Sequence, residues 1–172
     1  NTLIQKYYPQ ALPYLAQVKS PMLAHGEILK KKYPGCHTVF IGPCLSKKAE
    51  ADAYAGAIDC VLTFEELTGW LKEENIEVCP VSDNAGRSDR AKTRLYPTTS
   101  GILRSMNKDN PEYLYMAIDG VENCRNALRD IIDGNVGKCF IEMSACVGSC
   151  IGGPVMEKFH SAPVRDYAAV SR

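Results

Sequence analysis

No stretch of this 172-residue sequence approaches the ~20 consecutive apolar residues of a membrane-spanning helix. No basic, apolar and small-residue succession of the kind that directs secretion opens it either. Net charge is also missing. Twenty Lys and Arg balance twenty Asp and Glu, which argues against a general nucleic-acid binder, since such proteins are usually basic. Neither nucleic acid nor a membrane is therefore expected as a partner. No internal repeat recurs. The histidines His25, His37 and His160 lack the paired spacing of a zinc site and read as surface or satisfied polar residues. An initiator methionine is absent too. The opening "NTLIQKYYPQALPYL" reads as an element already under way, so the chain is expected to be a piece of a larger polypeptide.

Cysteine, by contrast, is plentiful: Cys36, Cys44, Cys60, Cys79, Cys124, Cys139, Cys146 and Cys150. An even count invites a disulfide framework. Two features oppose one. A chain of this length, with 45% apolar and 23% charged residues, can build a proper core without staples. Several cysteines also sit in apolar strand-like runs, "IDCVLTF" and "KCFIEM", where a thiol behaves as a small buried hydrophobe. The protein reads as intracellular, reduced and cytoplasmic, which leaves metal or cluster ligation as the functional option for cysteines in loops.

Periodicity orders the chain. Leu3, Ile4, Tyr7 and Tyr8 have helical spacing until Pro9 and Pro13 interrupt it. Ser20 followed by Pro21 predicts a capped helix that runs through Leu29 toward "KKKYPG". Thr38 to Ile41 is a short strand, "SKKAEADAY" a helix and "IDCVLTF" a buried strand. Thr63 followed by Glu66 is a capping box for the helix "FEELTGWLKEEN". Residues 78–94 are polar and unpatterned, a loop candidate. A helix begins near Thr99, "EYLYMAIDG" is the third strand, and "KCFIEMSAC" the fourth. The helix between them places Val121, Cys124, Leu128, Ile131 and Ile132 on one side, with Gly134 beyond its end. This order predicts an α/β fold of parallel sheets flanked by helices, in two small lobes.

Ligands of parallel sheets gather at the carboxyl ends of the strands. Cys44 follows one predicted strand there, and Cys146 and Cys150 follow another. All three thiols could face one crevice. Thiolates suit zinc or iron–sulfur clusters. Gly148, Gly152 and Gly153 would let backbone approach a bulky group, and Lys47 would favour an anionic ligand. By spacing alone, a single C-x3-C pair is as readily two buried thiols as a half-site, and zinc would need two further ligands. Cys36, Cys60, Cys79, Cys124 and Cys139 have core or loop explanations and are assigned no function.

Taken together, "YYPQALPYLAQVKSPM", "VFIGPCLSKKAEA", "DCVLTFEELTGWLKE", "TTSGILRSM" and "EMSACVGSCIGG" resemble the C-terminal domain of the large subunit of iron-only ([FeFe]) hydrogenases. The pieces occur in the family's order and cover residues 1–153. Residues 154–172 form an extension expected to be helical. The resemblance implies an H-cluster, a [4Fe–4S] cubane joined through a cysteine sulfur to a two-iron site carrying CO and cyanide. It makes Cys44, Cys146 and Cys150 the second, third and fourth cubane ligands, Cys150 bridging to the two-iron site. It makes Lys47 the lysine that meets a cyanide and Ser20 a serine on the proton path. The first cubane ligand and the proton-delivering thiol belong to a motif that the family carries just before "YYP", so this stretch alone is expected to be apo and inactive.

Departures from the family pattern follow the same motifs. Gly42 and Ser144 stand where active hydrogenases carry methionine, and "CVGSC" replaces "CPGGC". These features resemble the sensory branch, in which a hydrogenase-like domain is joined to signalling modules. The implied partners are the remainder of the same polypeptide, ferredoxin-like and signalling domains, with an unspecified redox partner. Three functions stay open at this level: a hydrogenase or hydrogen sensor, a [4Fe–4S] electron-transfer or assembly protein without the two-iron site, and a non-enzymatic α/β interaction domain.

Overall fold

The computed structural model describes residues 1–79, 92–108, 110–155 and 163–171. They form two units, one of residues 1–76 with Val155, the other of residues 77–154 with the C-terminal helix. Each is a small α/β unit around its own two-stranded parallel sheet.

The first unit opens with α1 (Thr2–Tyr7) and a 3-10 turn from Pro9 to Tyr14, where the prolines forbid a longer α-helix. Ser20 then caps α2 (Pro21–Lys32), its Oγ accepting from Leu23 N, with Pro21 at the first helical position. Three lysines close the last turn of α2, where positive charge suits the helix dipole. Strand β1 (Val39–Gly42) leads through Cys44 into α3 (Ser46–Ala53). Strand β2 (Cys60–Thr63) pairs with β1 in parallel, Val39 opposite Cys60 and Gly42 opposite Thr63. Helix α4 (Phe64–Glu73) starts directly from β2 with the predicted capping box. Thr63 Oγ1 accepts from Glu66 N, and Glu66 Oε2 accepts from Thr63 N.

Met22, Leu23, Ala57, Ile58 and Val61 make the core of this unit, with Phe40 and Ala51 packed against it. Leu23 is 2% exposed, so its burial contributes about 1.5–3 kcal/mol. Gly26 sets how closely α2 lies on this core: a Cβ there would stand 2.4 Å from the Ala57 carbonyl oxygen. Asp59 ties the sheet to α2. Its carboxylate accepts from Thr38 N at 2.7 Å and from Lys30 Nζ at 2.6 Å. The Lys30 ammonium and the Thr38 amide hold the Asp59 carboxyl down at about 2.

The second unit contains α5 (Gly101–Ser105), β3 (Leu114–Asp119), α6 (Val121–Ile132), β4 (Cys139–Ser144) and α7 (Pro163–Ser171). Strands β3 and β4 pair in parallel from Leu114 opposite Cys139 to Asp119 opposite Ser144. Helix α6 connects them and buries Cys124 and Leu128. Gly120 (φ +85°) and Gly134 (φ +71°) sit at its two ends in a region that favours glycine. Helix α7 packs against the 3-10 turns at Lys92–Leu95 and Ser149–Gly152, and Tyr167 Oη accepts from Arg104 on α5.

Parallel strands flanked by helices are what the residue pattern predicted, with shifts at the edges. Strand β1 lies one residue later than expected. The helix near Thr99 starts only at Gly101, after Ser100 in a left-handed conformation (φ +67°), and ends after five residues where Met106 is extended. The "buried" strand cysteines are corrected. Cys60 is exposed and Cys139 half-buried, because each opens its strand and a two-stranded sheet leaves both strands as edges. On α6, Cys124 and Leu128 are buried while Val121 is 48% exposed, so the buried stripe is narrower than the five-residue side expected from Val121, Cys124, Leu128, Ile131 and Ile132. Residues 80–91 of the expected loop, and His160, lie outside the described residues.

Candidate functional site

Strand β4 delivers its chain end to the C-x3-C loop. After Ser144 and Ala145 comes half-buried Cys146, and Cys150 lies exposed in the 3-10 turn Ser149–Gly152. Val147 between them is 74% exposed. The loop turns on two consecutive left-handed residues, Gly148 (φ +80°) and Ser149 (φ +64°). For Ser149 that conformation costs about 1–2 kcal/mol, so something must hold it. Its N–H donates to the Cys146 carbonyl at 3.0 Å, and its buried hydroxyl lies 2.9 Å from that of Ser144. Gly152 closes the turn: a Cβ there would fall 1.9 Å from the Val147 carbonyl oxygen.

Two neighbouring segments fasten this loop. Ile151 N donates to the Pro97 carbonyl at 3.1 Å. Asp119, the last residue of β3, accepts from Gly148 N at 2.9 Å and from Thr99 Oγ1 at 2.7 Å on the same carboxylate oxygen. The strand itself is held by Glu142. Its buried carboxylate accepts from Leu103 N at 3.0 Å, the third residue of α5. Ser100 offers α5 no side-chain cap, so a carboxylate from the adjoining strand does that work, where negative charge also suits the helix terminus.

Cys124 Sγ, under this loop, donates to the Ser144 carbonyl at 3.4 Å. Burial, and then the Asp119 charge, push its thiol pKa up, which keeps it a thiol and not a thiolate donor.

In the first unit, Cys44 stands two residues beyond the end of β1, half-buried, its Sγ 2.9 Å from Ser46 Oγ. Lys47 N donates to the Cys44 carbonyl at 3.2 Å, and Lys47 Nζ pairs with Glu50 one turn along α3. The Lys47 ammonium therefore already has a carboxylate partner, a feature absent from the sequence-based expectation. Gly42 is constrained by its own neighbour: a Cβ would stand 2.7 Å from the Phe40 ring, so no larger side chain fits without that ring moving. Ser20 serves as the cap of α2.

Cys146 and Cys150 thus share one loop of one unit, and Cys44, Lys47 and Ser20 belong to the other. Among the described residues no group of three or more His, Cys, Asp and Glu is gathered to hold a metal ion. Asp119 and Glu142 have no role in the sequence-based expectation, and Thr99 has only that of a helix start. Their signals were available: a carboxylate closing the apolar run "YLYMAID", and a single charge inside "CFIEM".

The description "Iron only hydrogenase large subunit, C-terminal domain" fits residues 1–154. The chain is 32% identical to the cytosolic Fe-S cluster assembly factor NAR1 of Yarrowia lipolytica, over 78% of this chain and 32% of that protein. It is 24% identical to iron hydrogenase 1 of Clostridium pasteurianum, over 87% of this chain and 35% of the other. The periplasmic [Fe] hydrogenase large subunit of Nitratidesulfovibrio vulgaris is 25% identical, over 98% of this chain and 53% of its own length. The chain therefore spans from about a third to about half of these relatives. Among solved structures, [FeFe]-hydrogenase HydA1 from Chlamydomonas reinhardtii superposes with a TM-score of 0.67 at 18% identity, covering 99% of this chain and 63% of that one. At that identity the likeness speaks for the fold, and it agrees with the two parallel α/β units. The chain belongs to the family of C-terminal domains of iron-only hydrogenase large subunits.

Proposed function

We propose that this chain is part of an iron–sulfur domain in which Cys44, Cys146 and Cys150 ligate one [4Fe–4S] cluster, within a hydrogenase-like redox or hydrogen-sensing protein of the cytoplasm. The observation that carries the reading is a matched pair of positions. Cys44 lies two residues beyond the carboxyl end of β1, and Cys146 two residues beyond that of β4. Such strand ends are where parallel α/β units bind ligands.

The donor set suits the group. Thiolates are the ligands of such clusters, Cys150 is exposed, and the Gly148–Gly152 turn leaves space: a Cβ at Gly148 would meet nothing nearer than 3.9 Å. The cluster would supply one-electron storage. This chain would supply three thiolates, leaving the fourth coordination position to the rest of the parent polypeptide. By the same resemblance Cys150 would also hold a two-iron site, Lys47 would meet an anionic ligand of that site, and Ser20 would belong to the proton path. Ferredoxin-like and signalling domains are the partners this reading expects, and hydrogen turnover by these residues alone is not.

A second reading has its own support. Ser144 and Ser149, two departures from the pattern of active hydrogenases, are hydrogen-bonded to each other. They fasten the loop with hydroxyls where the pattern has a thioether and a glycine, which favours a [4Fe–4S] domain without a two-iron site. Infrared spectroscopy of the matured parent protein, purified without oxygen, separates the two. Bands of iron-bound CO and cyanide support the H-cluster. Iron and sulfide without those bands support the cubane alone. Absence of iron, with Cys44→Ser and Cys146→Ser changing nothing, overturns both.

A further inference from the structure

We infer that Asp119 is a positioning residue for the thiol loop: its carboxylate fixes Gly148, and so sets how Cys146 and Cys150 are presented. The inference rests on the reading that these cysteines ligate a cluster. A loop with left-handed Gly148 and Ser149 in succession has little intrinsic preference for one shape. Gly148 is the residue midway between the thiols, and its amide donates to Asp119 Oδ2. The same oxygen accepts from Thr99, which immediately precedes the left-handed Ser100 and α5. One atom thus joins the end of β3, the approach to α5 and the centre of the C-x3-C loop. The adjoining residue, Gly120, keeps the two loops close: a Cβ there would lie 3.3 Å from Val147 Cγ2.

Two consequences follow. First, an ionised acceptor orders the loop before any iron arrives, so less freedom is lost when the thiolates bind. Second, the Gly148 N–H is committed to Asp119 and does not donate to a cluster sulfide, while a fixed negative charge stays beside the loop. Both oppose gaining an electron, so the charge sets a more negative midpoint potential.

The test uses the full-length protein, reconstituted anaerobically with ferrous iron and sulfide, in wild-type, Asp119→Asn, Asp119→Ala and Thr99→Val forms. Asp119→Ala is expected to release iron to a chelator about tenfold faster and to exchange amide hydrogens faster at residues 146–150 even when iron-free. Asp119→Asn keeps an oxygen acceptor without the charge. It should retain iron at nearly the wild-type rate yet move the dithionite-titrated midpoint potential positive and alter the electron paramagnetic resonance signal. Thr99→Val removes one of the two bonds and should fall between wild type and Asp119→Ala, which keeps the test open if Asp119→Ala misfolds. Unchanged iron release, potential and exchange in the folded variants overturn the inference. A wild-type protein that takes up no iron overturns the cluster reading instead. The exchange of residues 146–150 in the iron-free protein then decides the anchor by itself: acceleration by Asp119→Ala upholds it, and no change overturns it.

Discussion

Removing the Glu142 carboxylate should destabilise the second unit more than any surface substitution. Glu142 Oε2 is the acceptor for Leu103 N, in a bond buried from solvent, and Leu103 itself is 2% exposed. Glu142→Ala leaves that amide without a partner and without access to water. A buried donor so orphaned costs about 1–3 kcal/mol, and bonds to charged groups fall in the upper part of that range. Taking about 2 kcal/mol, the folded-to-unfolded ratio drops about 30-fold. For a chain of this size the melting temperature falls by about 4–8 °C. Glu142→Gln retains an oxygen acceptor of the same reach and should lose less than half as much. Urea denaturation followed by circular dichroism gives the energies, and hydrogen exchange over residues 101–105 reports the amide directly. If Glu142→Ala loses under about 0.5 kcal/mol and the α5 amides stay protected, then Glu142 is not the cap of α5, and the reasoning fails.

Three further outcomes follow from the same kind of geometry. Gly152→Ala places a methyl 1.9 Å from the Val147 carbonyl oxygen, against backbone that cannot turn aside like a side chain. It should therefore cost about 1–3 kcal/mol or more and reduce iron uptake, whereas wild-type iron content and stability would show that the turn is not closed as described. Thr63→Ala removes the acceptor for Glu66 N and should cost about 1 kcal/mol, read from the urea midpoint at unchanged slope. Asp59, with its pKa depressed from 3.8 to about 2 by Lys30 and Thr38, contributes stability that is fully present above pH 3.8 and lost as pH falls toward 2. Lys30→Met should shrink that acid-dependent loss, and an identical acid titration of stability in both proteins would refute the pairing.

The local elements were readable because their causes are local. Ser20 before Pro21, and Thr63 three residues before Glu66, announce helix starts with side chains that cap their own backbone, and both caps form as expected. The "CFIEMS" and "YLYMAID" runs are strands for the same reason. Burial was read less well. Cys60 lies inside the apolar run "IDCVLTF" but is exposed, because what packs on a strand decides which of its faces is covered, and among the described residues each sheet has two strands. The thiol positions at Cys44, Cys146 and Cys150 were visible through spacing and resemblance. What holds their loop was not: Asp119 is 29 residues from Gly148, and Glu142 is 39 from Leu103.

The sequence by itself determined the order of helices and strands, the caps of α2 and α4, the parallel class of the sheets and the family to which the cysteine motifs belong. The elements and caps depend on residues within a few positions of one another, and the sheet class and family on the order in which those elements and motifs follow along the chain. Tertiary structure alone decided that a β3 carboxylate fastens the C-x3-C loop, that a β4 carboxylate caps α5, and that Ser144 meets Ser149. Those contacts depend on the register of Asp119 opposite Ser144 across two parallel strands. A register is a property of the packed sheet, set by which faces are buried and by the connection through α6, and no single stretch of chain contains it.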